Sequence, residues 1–541
     1  MPGANAVRFE SSGDCASAWC FARDVIEAKL VPSPPGQPSS LLPQLDCLPA
    51  LASLFVLPYH APPLLVRVGM DSRVEDEQQI LDEWPKMPDG SAWDGFSLLT
   101  LFDRGESPFQ GAWDVQSLIC EVEESLNARV IDIPTVSSGA NHYGLHVKLA
   151  SRPDIVARLS RGDVNTPGFR GSTLEKKQLW HGHFELATYD ALQPLAGAFS
   201  RRPLYHRDPV QPGGGYVLTQ PQGITGRRLF LFEKAEGERY DYVRWRALSS
   251  EQKVRRSTLP LPRISSSAQE VPQSCLLVRS ARAAASLFRF PLPADFVSTW
   301  LLDRIFGSEL DLCPLSIQPT REFCMALLAA RIECAFRRCH RHFASRLDYN
   351  SASALLSAAR DSLLRLVPRV LPRTRKGLDE ATLYHFVLDH GDFGIHNMTI
   401  AKDAQDNPYI SSVYDWEAGT IVPALFSEPK MVVTADLIVD EDGEPSISRW
   451  GDGDSMQKMA EYVAWSREYY KALFAEAPEY RLAVKAGRDA RHIWFALRDC
   501  KNEDEAKHLA QLGAWADSKL AELDATDRRG PWVSPEQCVV N

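Results

Sequence analysis

The chain has 541 residues, of which 44% are hydrophobic and 24% are charged, and it carries a net charge of -10. This composition is typical of a globular protein, and the length leaves room for about two to four domain-sized units. The acidic balance argues against a nucleic-acid partner, because proteins that bind nucleic acids more often carry a basic excess. The eleven cysteines have no regular spacing, so we expect reduced thiols and a cytoplasmic location.

Residues 1–105 form a variable, proline-rich N-terminal region that includes the linker-like stretch VPSPPGQPSS. The longest uncharged run, Cys47 to Val66, is nominally long enough to cross a bilayer. It contains four prolines, which prevent a continuous helix, so we expect no membrane span and no membrane partner.

The next segment predicts a helix followed by a β-hairpin. Asp114 has the position of a helix N-cap, and strands are predicted at Arg129–Ile133 and Leu145–Leu149. Between the strands, Ser137–Gly144 could cover a phosphate, because glycines let backbone amides approach closely, but a plain hairpin turn explains it equally well. The residues of this loop that we expect at the site are Ser138, Gly139 and Asn141.

Three further segments complete the N-terminal half. Ile155–Leu159 predicts a strand that carries Arg158, and His183–Tyr189 predicts a helical segment that carries Glu185. Gly215–Gly223 predicts another strand and turn, and it contains Leu218, Gln220 and Pro221. Prolines and serines then interrupt a helical pattern, so residues 254–320 are a possible insertion.

Helical periodicity dominates the C-terminal half of the chain. The predicted helices are Phe323–Phe343, Ala352–Leu366, Asp454–Phe474, Ala483–Leu497 and Glu503–Leu523.

Two short motifs interrupt this helical pattern. His390 opens HGDFGIHN, in which Asp392 precedes Asn397 by five positions, and Asp415 opens DWE eighteen positions after that asparagine. Apolar and β-prone runs flank both motifs, and a turn with Pro408 separates them, so a strand, a polar loop and a hairpin would bring the three side chains to one end of a small sheet. An Asp, an Asn and a second Asp at this spacing are the groups that phosphoryl transfer from Mg-ATP uses.

The stretch FVLDHGDFGIHNMTI, followed by VYDWEAGTIVP, resembles the aminoglycoside phosphotransferase and choline kinase-like family, and its fungal branch in particular. The resemblance implies an α+β, bilobal protein kinase-like fold, with a small β-rich N-terminal lobe at 106–225 and a large, mostly helical C-terminal lobe at 226–541. It also implies ATP and Mg²⁺ as cofactors.

The resemblance implies roles for single residues. Asp392 matches the catalytic aspartate and His390 the histidine that braces its loop, while Asn397 and Asp415 match the metal ligands. Arg158 stands where a lysine usually contacts the phosphates, with Glu185 as its expected partner, although surface charge on regular structure would explain both residues. Leu218 and Gln220 would flank adenine, where Pro221 removes a backbone donor. The role of Glu417 stays open.

These assignments predict a phosphotransferase that uses Asp392 as base and a small-molecule hydroxyl as acceptor. The alternative is a catalytically impaired binding or regulatory protein with the same fold, because Arg158, Pro221 and the interrupted helix depart from the family pattern. A protein kinase is a more distant alternative, since HGD and DWE stand in place of HRD and DFG.

Overall fold

The computed structural model describes most of the chain from residue 84 onward. The described residues are 84–87, 89–139, 141–161, 172–195, 197–199, 201–209, 223–239, 276–307, 316–343, 349–374, 379–404, 408–451, 454–500 and 504–529, with the backbone alone at 172–178, 342–343 and 349–352. All of them belong to one compact unit, Ile80–Asn541. The predictions for Leu218, Gln220 and Pro221, and for most of residues 1–105 and the first part of 254–320, lie outside the described residues.

Five strands form an antiparallel sheet in the order β1-β2-β3-β5-β4. They are β1 (Val130–Ser138), β2 (His142–Leu149), β3 (Ile155–Ser160), β4 (Pro203–Arg207) and β5 (Leu229–Glu233). Alternate apolar side chains such as Leu145 and Val147 are buried on one face, as the period of a strand requires. β5 belongs to this sheet. It lies beyond residue 225, near which the sequence predicts the boundary between the two lobes, and that boundary stays a prediction.

Two helices precede β1, and a third helix follows β3. They are α1 (Leu98–Asp103), α2 (Val115–Leu126) and α3 (Ser172–Ala191). The predicted N-cap is confirmed, because the Asp114 carboxylate accepts hydrogen bonds from the backbone N–H groups of Gln116 and Ser117 at 3.2 and 2.9 Å. Val115, Leu118 and Val122 then lie on one helical face and join the core that covers the sheet.

The first hairpin is tighter than the sequence predicts. β2 begins at His142 rather than Leu145, and β1 extends to Ser138, so the connecting loop consists of residues 139–141. The reason is that Tyr143 is fully buried and extends the inward-facing pattern of Leu145 and Val147 by one more step.

Helices make up most of the remainder of the described chain. They are α4 (Leu276–Arg289), α5 (Ala294–Phe306), α6 (Arg321–Phe343), α7 (Tyr349–Val370), α8 (Glu380–Tyr384), α9 (Met456–Glu476), α10 (Pro478–Ala486), α11 (Arg488–Asp499) and α12 (Glu505–Arg529). The described helices include none that is long and apolar enough to cross a membrane.

The single helix predicted at Ala483–Leu497 is wrong, because α10 and α11 divide it at Gly487. A Cβ at Gly487 would lie 3.1 Å from the carbonyl oxygens of Ala483 and Leu425. The glycine therefore allows a close approach that helical periodicity alone does not reveal.

Short strands between α8 and α9 carry the two sequence motifs. They are β7 (Phe386–Asp389), β8 (Met398–Lys402), β9 (Pro408–Val413), β10 (Thr420–Pro423), β11 (Met431–Val432), β12 (Asp436–Val439) and β13 (Pro445–Ile447), together with β6 (Glu238–Arg239), which pairs with β8. The single small sheet expected here is wrong, because β7 pairs with β10 while β8 pairs with β9 in a separate sheet with β6.

Candidate active site

Two loops meet because strand pairing joins both of their ends. The first, residues 390–397, connects β7 to β8, and the second, residues 414–419, connects β9 to β10. Asp389 pairs with Thr420 on one side of the loops, and Met398 pairs with Val413 on the other. The register therefore holds HGDFGIHN and DWE next to each other.

A positive backbone angle makes this contact possible. Gly391 has φ +81°, and a Cβ at this position would lie 2.2 Å from the Ala418 carbonyl oxygen. Only a residue without a side chain permits such an approach between the two loops.

Asp392 is held by two neighbours in its own loop. Its Oδ2 lies 2.8 Å from His396 Nε2 and 3.3 Å from Asn397 Nδ2, and the Asn397 amide also donates to the Asp392 carbonyl at 3.0 Å. Burial alone would raise the pKa of Asp392, but the hydrogen bond from His396 and the nearby charges lower that pKa to about 2. The half-exposed carboxylate is therefore ionised at neutral pH and can accept a hydrogen bond from a hydroxyl group.

His390 joins the two loops. Its Nε2 lies 3.0 Å from the Tyr414 carbonyl oxygen, so this nitrogen carries the hydrogen. Burial lowers the pKa of His390 to about 4, which keeps the ring neutral, and the ring packs against Trp416 with 4.4 Å between centroids. His390 thus links the first loop to the backbone and to an aromatic ring of the second loop.

The predicted ion pair between Arg158 and Glu185 is confirmed. Arg158 Nη1 lies 2.5 Å from Glu185 Oε1, and Arg158 Nη2 lies 2.9 Å from Asp415 Oδ1. Arg158 comes from β3, Glu185 from α3 and Asp415 from the second loop. One buried guanidinium therefore connects the sheet, a helix and the DWE motif.

A second buried guanidinium, which the sequence analysis missed, lies beside the first. Arg228 Nη2 lies 2.8 Å from Glu417 Oε2 and 2.6 Å from His142 Nε2. Glu417 also accepts a hydrogen bond from Asn141 Nδ2 in the hairpin loop. Burial opposes the charge of Glu417, but His142, Arg228 and Arg158 hold its pKa well below the usual value.

Carboxylate oxygens that could hold a metal ion face each other at this point. One ligand atom each from His142, Asp415 and Glu417 lies within 4.8 Å of the others. Two carboxylates fit Mg²⁺, which prefers oxygen ligands. The amide nitrogen of Asn397 donates to Asp392, which leaves its carbonyl oxygen as the atom that could coordinate a metal.

The hairpin loop is less open to a phosphate than the sequence predicts. The Gly139 backbone N–H donates to the His142 carbonyl at 2.8 Å, so it closes the turn. Ser138 Oγ accepts a hydrogen bond from Arg161 at 3.1 Å, and Asn141 is bound to Glu417. Of the three loop residues predicted at the site, Asn141 is the one in contact with the DWE motif.

The sequence contained weak signals for the residues that were missed. His142 lies next to the predicted loop, and Arg228 directly precedes the apolar run LFLFE of β5. Alternation along that run places Arg228 on the same face as Phe230, and the Arg228 guanidinium lies 5.4 Å from the Phe230 ring centroid.

No protein-family model matches the sequence, and no curated protein matches it. Among solved structures, the chain is similar to a choline kinase from Cryptosporidium parvum Iowa II (11% identity, TM-score 0.30, 76% of this chain and 97% of that chain). It is also similar to the macrolide 2'-phosphotransferase MphH from Brachybacterium faecium (12%, TM-score 0.30, 74% and 97%). A third is the amicoumacin kinase hAmiN in complex with AMP-PNP, Ca²⁺ and Ami (12%, TM-score 0.28, 76% and 95%). These values describe a distant similarity.

Proposed function

We propose that the protein is a phosphotransferase that moves the γ-phosphoryl group of ATP to a hydroxyl group of a small molecule, in a bilobal kinase-like fold. The observation that carries the proposal concerns the forked guanidinium of Arg158, whose two terminal nitrogens bind the carboxylates of Glu185 and Asp415. Asp415 in turn follows Tyr414, whose backbone is bonded to His390 and Asn397. The residues predicted from separate parts of the chain thus form one connected network.

Asp392 is the residue that orients the acceptor in this proposal. Its carboxylate is half-exposed and ionised, so it can accept a hydrogen bond from the acceptor hydroxyl and take its proton. Phosphoryl transfer depends mainly on positioning and on neutralising charge, and therefore a fixed, ionised carboxylate is sufficient for this role.

Asn397 and Asp415 would hold Mg²⁺, and Glu417 lies close enough to Asp415 to assist. The bound cation would neutralise the charge of the triphosphate. Arg158 and Arg228 supply two further positive charges from the sheet, and both lie within hydrogen-bonding distance of carboxylates that face the same point. Arginine suits phosphate because its guanidinium donates two parallel hydrogen bonds.

A short connection joins the five-stranded sheet to the hairpin formed by β8 and β9. This connection, residues 234–237, runs from β5 to β6, and Glu236 ties it to β9 through Tyr409 (2.8 Å) and Ser411 (2.5 Å). The adenine site predicted at Leu218 and Gln220 stays a prediction, because both residues lie outside the described part of the chain.

The second candidate is a kinase-fold binding protein without turnover. One observation favours it: both terminal nitrogens of Arg158 are bound by carboxylates, whereas nucleotide binding would require them for phosphate. Under either candidate the predicted partner is a small molecule rather than a nucleic acid or a membrane, and the cytoplasm remains the predicted location.

The test is a library of hydroxyl-bearing small molecules incubated with Mg²⁺ and γ-labelled ATP. We expect label transfer to one chemical class of acceptor by the wild type, and transfer at least about 10²-fold slower by Asp392→Asn or Asp415→Ala. The transfer assay and a thermal shift with Mg-ATP together separate the two candidates, because both proteins would be stabilised but only the phosphotransferase would transfer label. If Mg-ATP causes no shift, the phosphotransferase assignment is wrong.

A further inference from the structure

The turn that carries Asp415 has a backbone conformation that needs external support. Asp415 has φ 72° and ψ 57°, in the left-handed region that costs a non-glycine residue free energy. A short 3₁₀ helix, Trp416–Ala418, follows it. Such a conformation persists only where surrounding contacts determine it.

Arg304, on α5, contacts the residues that follow Asp415 in this turn, from a position 111 residues earlier in the chain than Asp415. Its Nη2 donates to the Glu417 carbonyl at 2.6 Å, and its Nε donates to the Gly419 carbonyl at 2.9 Å. The two hydrogen bonds hold the turn at the residues on either side of Ala418. Burial lowers the pKa of Arg304 to about 10, so the side chain remains a cation at neutral pH.

Helix α3 holds the guanidinium in place. The Arg304 guanidinium packs against two aromatic rings of this helix, with its central carbon 4.0 Å from the Trp180 centroid and 4.2 Å from the Phe184 centroid. His181 Nδ1 lies 2.7 Å from the same Glu417 carbonyl, and because a carbonyl only accepts, this nitrogen carries the hydrogen. Glu185 lies one helical turn after His181, on the same face.

We propose that Arg304 is a positioning residue that holds the Asp415–Gly419 turn against α3. It would set the distance between Glu185 and Asp415, whose carboxylates bind the two terminal nitrogens of Arg158. Arg304 would therefore act through the turn rather than on nucleotide directly. Its catalytic consequence rests on the function proposed above, whereas its effect on the turn does not.

Hydrogen exchange without nucleotide tests the structural part. Arg304→Met removes both donors, Arg304→Lys keeps the charge without the planar fork, and Arg360→Met removes a half-exposed arginine of α7 as a matched control. We expect peptides covering 414–420 to exchange about tenfold faster in Arg304→Met, less so in Arg304→Lys, and unchanged in the control. His181→Phe, which deletes one of the two donors to Glu417, gives a smaller change and serves if Arg304→Met does not fold.

Kinetics test the consequence for the site. When Arg304→Met releases the turn, kcat should fall about tenfold or more, and the Mg²⁺ concentration for half-maximal rate should rise. The thermal midpoint of Arg304→Lys should stay near that of the wild type. Uniformly faster exchange throughout the chain would show a general structural role, and no change at 414–420 would show that Arg304 does not hold the turn. Either result overturns the proposal. If the wild type never binds Mg-ATP, the function proposed above fails, while the exchange result still decides the role of Arg304.

Discussion

Glutamine in place of Glu185 removes one of the two carboxylates that neutralise Arg158. The Glu185 side chain is completely buried and Arg158 is about as inaccessible, so the remaining guanidinium cannot gain compensating hydration. Breaking a buried pair costs about 3–5 kcal/mol when the partner is left unpaired. Here Asp415 stays 2.9 Å from Arg158, and glutamine retains one acceptor oxygen, so we expect a loss of about 2–3 kcal/mol.

The assay is equilibrium unfolding monitored by denaturant titration, with Asp517→Asn as the matched control. Asp517 lies 3.4 Å from Arg365, but both side chains are more than half exposed, so its loss should cost less than about 0.5 kcal/mol. A double-mutant cycle with Arg158→Met isolates the pair. If Glu185→Gln costs no more than Asp517→Asn, or the coupling energy is near zero, the buried pair of Arg158 and Glu185 does not stabilise the protein.

Three further predictions concern the loops and their supports. Asp392→Asn should reduce label transfer by about 10²–10⁴-fold while Mg-ATP still raises the thermal midpoint, and retained turnover would refute its role as base. Gly391→Ala should lower stability by more than about 2 kcal/mol and reduce activity, because its Cβ would meet the Ala418 carbonyl; Gly105→Ala, which has a similar φ of +74° and nothing within 4 Å, should cost only about 1 kcal/mol. Burial raises the pKa of Asp389 to about 7, so the folded state retains a proton that the unfolded chain releases near pH 4, and this contribution to stability is lost as pH rises from about 4 to 7. Urea unfolding across that range should therefore show a flatter pH profile for Asp389→Asn, and parallel profiles for the two proteins would contradict the assignment.

Local residue patterns were sufficient to place the two loops. HGDFGIHN and DWE are each flanked by apolar or β-prone runs, and the observed strands at 386–389, 398–402, 408–413 and 420–423 bracket them. The pairing of β7 with β10 was not predicted, because it joins segments about 30 positions apart, a separation at which pairing depends on register rather than on local pattern.

The strand that completes the five-stranded sheet shows the limit of local reasoning. The sequence analysis predicts a strand at Gly215–Gly223 and none at Leu229–Glu233, although LFLFE is a short apolar run that follows the turn-forming residues TGRR. The structure has β5 at Leu229–Glu233, where Leu229 and Leu231 are fully buried, whereas residues 215–222 lie outside the described part of the chain. Arg228 was overlooked for the same reason, because its importance depends on that assignment.

The sequence by itself determined which groups the candidate site contains and their order: an aspartate and an asparagine in one loop, a second aspartate in the next, and an arginine and a glutamate earlier in the chain. These are local properties of residue type and spacing. Only the tertiary structure decided that Arg158 binds both Glu185 and Asp415, that Arg228 binds Glu417, and that Arg304 grips the turn between them. The physical reason is that a buried charge is stable only beside a partner, and packing of distant segments decides which partner each charge meets.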